Sequence, residues 1–190
     1  MMKQTPSQTV GPFFAFGLIR KGENILVSDA TQGDRIRVEG RVFDGAGEPV
    51  PDAMIEIWQA NAYGRYNHPE DKQEKPLDPR FIGFGRAGTD ENGVYWFETI
   101  KPGPVPGPGD SFQAPHIDVI VFARGMLLHA FTRVYFEDEP ENASDPILSQ
   151  IEDKARRATL IGRRENSGGK NVYRFDIRLQ GKNETVFFDM

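Results

Sequence analysis

The sequence predicts an all-β domain: a β-sandwich of mixed topology with an N-terminal arm and one helix on its periphery. Three observations carry this expectation. Short segments alternate polar and apolar residues with the period of two that a half-buried strand requires. Clusters of Gly, Pro, Asn and Asp separate those segments, as turns do. One segment alone, after Asp145-Pro146, carries a helical period. At 190 residues, 38% hydrophobic and 27% charged, the chain is long enough for one soluble domain with its own core.

Residues 1–34 read as an arm that docks on a partner, and residues 35–190 as the sandwich. Within the arm, Thr5-Pro-Ser-Gln-Thr-Val-Gly-Pro12 is turn-rich and polar. Phe13-Phe-Ala-Phe-Gly-Leu18 is strongly apolar yet too short for a core helix, so it docks on its own domain or on another chain. Arg35–Phe43 alternates cleanly, and Asp44-Gly-Ala-Gly-Glu-Pro49 turns the chain. Met54–Trp58 sets Met54, Glu56 and Trp58 on one side and Ile55 and Ile57 on the other. Asp90-Glu-Asn-Gly93 is a hairpin-type turn into Val94-Tyr-Trp-Phe97. Further strands are expected at 117–123, 130–136, 171–179 and 184–188.

Asp145 reads as an N-cap, with Pro146 in the first helical position. Ile147, Leu148, Ile151, Ala155 and Ala158 then form one helix face laid on the sheet. Pro102-Gly-Pro-Val-Pro-Gly-Pro-Gly109 is barred from a central strand because proline lacks the donor, and reads as a loop before His116.

Composition removes several function classes. A formal charge of −5 with no dense Lys/Arg cluster argues against nucleic acid. The absence of cysteine removes disulfides, thiolate catalysis and cysteine-held zinc or iron–sulfur sites. No apolar stretch approaches the ~20 residues of a membrane span, and the first residues lack the apolar core of a signal peptide, so a cytoplasmic location is expected. Without export, Asn142-Ala-Ser144 and Asn183-Glu-Thr185 carry no weight as glycosylation acceptors. Gly83-Phe-Gly-Arg-Ala-Gly88 matches a dinucleotide fingerprint, but a turn and a strand follow where a helix N-terminus is needed.

The chemistry concentrates in three places. His116 and Asp118 stand two apart at the head of an apolar run, so on a strand they share a face. Glu56-Ile-Trp-Gln-Ala-Asn-Ala-Tyr-Gly-Arg-Tyr66 leaves the core as a strand and ends, in a polar loop, at Tyr66. The Pro/Gly loop lies between. These residues leave two readings open: a metalloprotein using Tyr66, His116 and Asp118 by itself, or a non-catalytic sandwich that binds a partner.

Together, and in this order, the segments resemble the intradiol ring-cleaving dioxygenases. The resemblance rests on the Thr5–Pro12 motif, Trp58-Gln-Ala-Asn-Ala-Tyr-Gly-Arg-Tyr66, Ile100-Lys-Pro-Gly103, Ala114-Pro-His116, Thr132-Arg-Val-Tyr-Phe136, Tyr173-Arg-Phe-Asp-Ile177 and Glu184-Thr-Val-Phe-Phe188. In that family the catalytic chain holds Fe(III) through two tyrosinates and two histidines, donors that suit a hard ferric ion. Tyr66 and His116 match one of each. Val105 stands where the second Tyr is expected and Asp118 where the second His is expected, and Gln113 falls near the place of a charge-balancing Arg. The resemblance therefore implies a chain of the alpha type, which binds no iron. Its metal positions Tyr66, Val105, His116 and Asp118 are degenerate, it holds no catalytic residue of its own, and Fe(III) sits in a partner beta subunit. It further implies that Thr9, Gly11, Pro12 and Arg133 line the partner's pocket for a small aromatic substrate, a catechol bearing a ring carboxylate. There a guanidinium suits the anion, and dioxygen is the co-substrate. The Phe13, Phe14, Phe16 and Leu18 run and the terminal Phe187 and Phe188 are expected to contribute to the interface between the two chains.

Overall fold

The computed structural model describes residues 17–167 and 170–189. Among them are eleven strands: β1 (Arg35–Phe43), β2 (Met54–Trp58), β3 (Phe84–Gly88), β4 (Val94–Ile100), β5 (Val105–Pro106), β6 (Phe112–Gln113), β7 (His116–Phe122), β8 (Ala130–Phe136), β9 (Ile161–Ser167), β10 (Lys170–Arg174) and β11 (Ile177–Arg178). β5 and β6 form a separate two-stranded ribbon. The other nine form one mixed sheet in the order β11-β1-β10-β9-β8-β7-β2-β3, with β4 paired to β1. Strands β7, β2 and β3 are antiparallel neighbours, and β7–β8 is a hairpin. The parallel pairing of Tyr135 with Ile161 and of Phe136 with Gly162 joins that half to β9 and β10.

The sheet closes over itself around one core. Val38 and Val42 of β1, Tyr95 and Phe97 of β4, and Tyr173 of β10 pack against Ile55 and Ile57 of β2, Ile117, Val119 and Val121 of β7, and Val134 and Phe136 of β8. Burial of these alternating positions is the main favourable term and fixes register, because a one-residue slip would turn each strand inside out. The all-β expectation therefore holds, and the strands expected at Arg35–Phe43, Met54–Trp58 and Ala130–Phe136 form with those bounds.

Several expectations need correction. The stripe after Asp145 is not one helix: a 3₁₀ turn at Leu148–Gln150 and a short α-helix at Lys154–Ala158 are separated by extended backbone at Ile151 and Asp153. Asp145 does cap, accepting the N–H groups of Ile147 and Leu148, but Asp153 starts a second unit by accepting those of Ala155 and Arg156. Two competing caps eight residues apart divide the segment. The run 171–179 also splits. The regular pairing stops after Arg174 and resumes at Ile177: Phe175 N–H still donates to Glu39 O, but Asp176 takes the N–H of Arg41 with its side-chain Oδ1. Phe175 lies so close to β1 that a Cβ on Gly40 would sit 1.7 Å from its carbonyl oxygen. Residues 184–188 are not a strand; Phe188 bridges to Phe131 alone. Asp90–Gly93 is a tight turn, with Gly93 at φ 71° and Asp90 capping Asn92 and Val94. It is not a hairpin, since β3 pairs with β2 while β4 pairs with β1.

Residues 19–34 run beside β3 and β4. Arg86 N–H donates to Glu23 O, Leu26 N–H donates to Glu98 O, and Leu26 packs on the core. Thr9, Gly11, Pro12, Phe13, Phe14 and Phe16 lie outside the described residues. Phe187 packs against the main core, while Phe188 packs against a second apolar cluster around Tyr135, Leu148 and Leu160. Among the described residues no helix is long and apolar enough to cross a membrane.

Candidate functional site

On β7, Ile117, Val119 and Val121 enter the core, so His116 and Asp118 emerge together on the opposite face. The β7–β8 register then sets His116 opposite Tyr135 and Asp118 opposite Arg133. The β2–β7 register adds Trp58 opposite Asp118. Beyond Trp58 the chain turns through Asn61, whose Oδ1 accepts the N–H groups of Tyr63 and Arg65, and Gly64 is at φ 77°. That turn returns Tyr66 over Trp58, with ring centroids 5.8 Å apart and planes 12° apart. Asp71 takes the Tyr66 N–H at 2.8 Å. The β5–β6 ribbon closes the far wall with Val105 and Gln113. The result is a pocket of about 550 Å³ lined by Trp58, Tyr66, Val105, Gln113, His116 and Arg133, among others.

The four positions matched to metal ligands converge here, and their chemistry is unlike a ferric site. Val105 offers no donor atom. The His116 ring is buried, and Nδ1 lies 2.7 Å from Ala114 O. A carbonyl only accepts, so Nδ1 carries the proton and Nε2 the lone pair. Burial holds His116 below the usual imidazole range, against the opposing pull of Asp118. Burial first, then the Asp118 carboxylate, push the Tyr66 phenol well above its ordinary value of 10.0, so it is protonated at neutral pH. Asp118 is committed elsewhere. Its Oδ1 sits 2.9 Å from Arg133 Nε and 3.9 Å from His116 Nε2. The Arg133 contact is an ion pair without a straight N–H···O line, for no aligned donor reaches that buried oxygen. Arg133 Nη1 donates to Gln113 Oε1 at 2.6 Å.

One imidazole nitrogen, one phenol, one carboxylate already paired and one valine fall short of the two phenol and two imidazole donors of the family's ferric set. Among the described residues, no three His, Asp or Glu side chains converge to hold a metal. Arg133, expected from the resemblance to face the partner's substrate, lines the pocket of its own chain, with its charge balanced by Asp118. Sequence reasoning read Asp145 as a cap and missed its role in the site, where it is fully buried. Its Oδ2 accepts the Ala114 N–H at 2.7 Å, and its Oδ1 accepts the Tyr135 hydroxyl at 3.3 Å. The available signal was that Asp145-Pro146 follows a strand whose outer face carries Tyr135.

A second hollow of about 500 Å³ lies between residues 25–29 and the β1 and β4 strands. Arg37, on its wall, is already paired with Glu39 and Glu98, and the hollow holds no convergent reactive set.

The folded-over mixed sheet, with a polar pocket built on the outer face of β7 and β8, defines a class: the Dioxygenase family model matches residues 10–181, and the chain belongs to that family, the intradiol ring-cleaving dioxygenases, which are iron-dependent. Within it, the chain is 44% identical to the protocatechuate 3,4-dioxygenase alpha chain of Burkholderia cepacia, over 100% of this chain and 98% of that one. It is 40% identical to the beta chain from the same organism, over 86% of this chain and 72% of that one. The dioxygenase domain of a dioxygenase–carbohydrate-binding fusion from Streptomyces sp. SirexAA-E superposes with a TM-score of 0.64 at 27% identity, covering 94% of this chain and 99% of that one.

Proposed function

We propose that this chain is the alpha-type subunit of a protocatechuate 3,4-dioxygenase, and that a beta-type partner of the same fold holds the ferric iron. The observation that carries the proposal is full-length similarity to alpha chains, joined to a cluster in which valine and aspartate stand at two of the four positions matched to ferric ligands. Val105 and the Asp118–Arg133 pair occupy the places of two ligands. The assembled enzyme would cleave 3,4-dihydroxybenzoate with O2 to 3-carboxy-cis,cis-muconate in the cytoplasm. Bound in the partner, Fe(III) supplies Lewis acidity toward the catechol oxygens.

This chain contributes walls and orientation. We assign Thr9, Gly11 and Pro12 to the rim of the partner's pocket. The resemblance sets Arg133 there as well. Its ion pair with Asp118 and its bond to Gln113 favour a place in its own chain, and kinetics of the Arg133 variant decide between the two.

The deciding experiment compares this chain expressed alone with the chain co-expressed with a beta-type partner. Alone it should carry less than about one tenth of an equivalent of iron and show no ring cleavage. The pair should carry one iron per alpha–beta unit and turn over. Stoichiometric iron and turnover in the solitary chain would refute the proposal and favour the stand-alone reading through Tyr66, His116 and Asp118.

A further inference from the structure

Val105 and Asp118 leave the pocket without two of the family's four ferric donors; that alone does not explain what balances the charge that remains. Asp118 is a carboxylate only 16% exposed, held beside His116 and Arg133, two of the residues that line the pocket, with its Oδ1 buried. Such an anion is costly to bury unless a cation faces it. The facing cation is Arg133, itself only 17% exposed, delivered by the strand register that sets residue 133 opposite residue 118. Its fork is turned into the cluster. Nε faces Asp118, Nη1 donates to Gln113, and its field reaches the phenols of Tyr66 and Tyr135 and the imidazole of His116. Every member of the degenerate set that retains a donor atom thus feels the same guanidinium.

We propose that the Arg133 guanidinium is this pocket's permanent cation: it occupies the electrostatic role of a metal ion, and it keeps added metal cations out. The proposal rests on the reading that this chain carries no iron, and goes beyond it by naming the group responsible. Val105 and Asp118 remove ligands, but a carboxylate with an imidazole Nε2 beside it and a phenol nearby would still attract a divalent or ferric ion. A fixed positive charge 2.9 Å from that carboxylate opposes a second cation through the same Coulomb energy that favours the ion pair. Gln113 completes the arrangement as a neutral acceptor for the guanidinium, which an arginine at that position could not be.

The test uses the full chain as wild type, Arg133→Met, and Asp118→Asn combined with Arg133→Met. Each is incubated with Co(II) and, separately, Fe(III), desalted, and assayed by elemental analysis, with visible spectra for a phenolate-to-iron charge-transfer band. Wild type should retain almost none. Arg133→Met should retain metal at least tenfold above wild type, and the double variant should lose that gain because the carboxylate is gone. A folded Arg133→Met that takes up no more metal than wild type overturns the proposal while leaving the iron-free reading intact. Stoichiometric iron in wild type overturns the iron-free reading itself.

Should Arg133→Met fail to fold, Arg133→Gln, which is neutral but keeps a hydrogen-bond donor, takes its place in the same metal-retention assay. Retention at least tenfold above wild type supports the proposal. A folded Arg133→Gln that retains no more metal than wild type overturns it.

Discussion

Asp145 and His116 never touch, yet one is built on the other through a single residue: Asp145 Oδ2 accepts the Ala114 N–H at 2.7 Å, and Ala114 O accepts His116 Nδ1–H at 2.7 Å. His116 is therefore held in a fixed tautomer with Nε2 turned to the pocket, although Val105 and Asp118 stand at two of the other three matched positions. Asp145 also caps the 3₁₀ turn and takes the Tyr135 hydroxyl, so its carboxylate gathers four hydrogen bonds at a fully buried position. Replacing it with alanine strands three backbone donors and a phenol.

The expected loss for Asp145→Ala is about 3–5 kcal/mol, from several buried groups left unsatisfied at once. Asp145→Asn, which keeps one acceptor oxygen, should lose roughly half as much. Denaturant melts of the two variants check this. A loss under about 1 kcal/mol for the alanine variant would show that water replaces the carboxylate without cost.

Arg133 has a kinetic prediction that separates its two assignments. An arginine anchoring the substrate carboxylate in the partner's pocket is worth about 1.5–3 kcal/mol in kcat/KM. An arginine balancing Asp118 within its own chain has little charge to lend. The geometry favours the second, so Arg133→Ala in the assembled enzyme should change KM by less than about threefold, while melting falls because Asp118 is left unpaired. A tenfold rise in KM with unchanged melting would instead put the guanidinium against the substrate.

The sequence reveals the strands in this fold where apolar alternation or β-forming residues are dense and conceals them where both are thin. Arg35–Phe43 stands out because Ile36, Val38 and Val42 are buried while Arg35, Arg37, Glu39 and Arg41 are not; Ala130–Phe136 does not alternate in burial and stands out through its aromatic and β-branched residues. Phe84–Gly88 escaped notice because its inward positions are Gly85 and Ala87, small enough to read as a glycine-rich loop. Ile161–Ser167 escaped because most of its residues are charged or polar. In the site, the shared face of His116 and Asp118 follows from a period of two. The partnership of Asp118 with Arg133 depends on hairpin register, fixed by the turn between β7 and β8 and by packing rather than by either residue. Asp145 was legible as a cap but not as the anchor of Ala114, because that contact spans 31 residues and depends on where the sheet ends.

Acid should loosen the join between residues 28–32 and the domain, through Asp78. This carboxylate is 5% exposed and accepts the N–H groups of Gln32 and Arg80. Burial acts to raise its pKa, but those two donors and the Arg80 charge outweigh burial and hold it below its ordinary 3.8. The unfolded chain therefore binds the proton more readily than the folded one. The stability Asp78 contributes is fully present above about pH 4 and is lost as pH falls through its lower folded value. Asp78→Asn keeps one acceptor and removes the titration, so the variant should be less stable near neutrality by about 1 kcal/mol. Its stability should also fall less steeply than wild type between about pH 4 and pH 2. Hydrogen exchange at Gln32 N–H gives the local readout: in wild type its protection should drop as pH falls below that of the unfolded carboxyl, once exchange is corrected for the intrinsic rate. Protection that stays constant down to pH 2, or melts of the two proteins that run parallel over that range, would show that Asp78 does not tie this segment down.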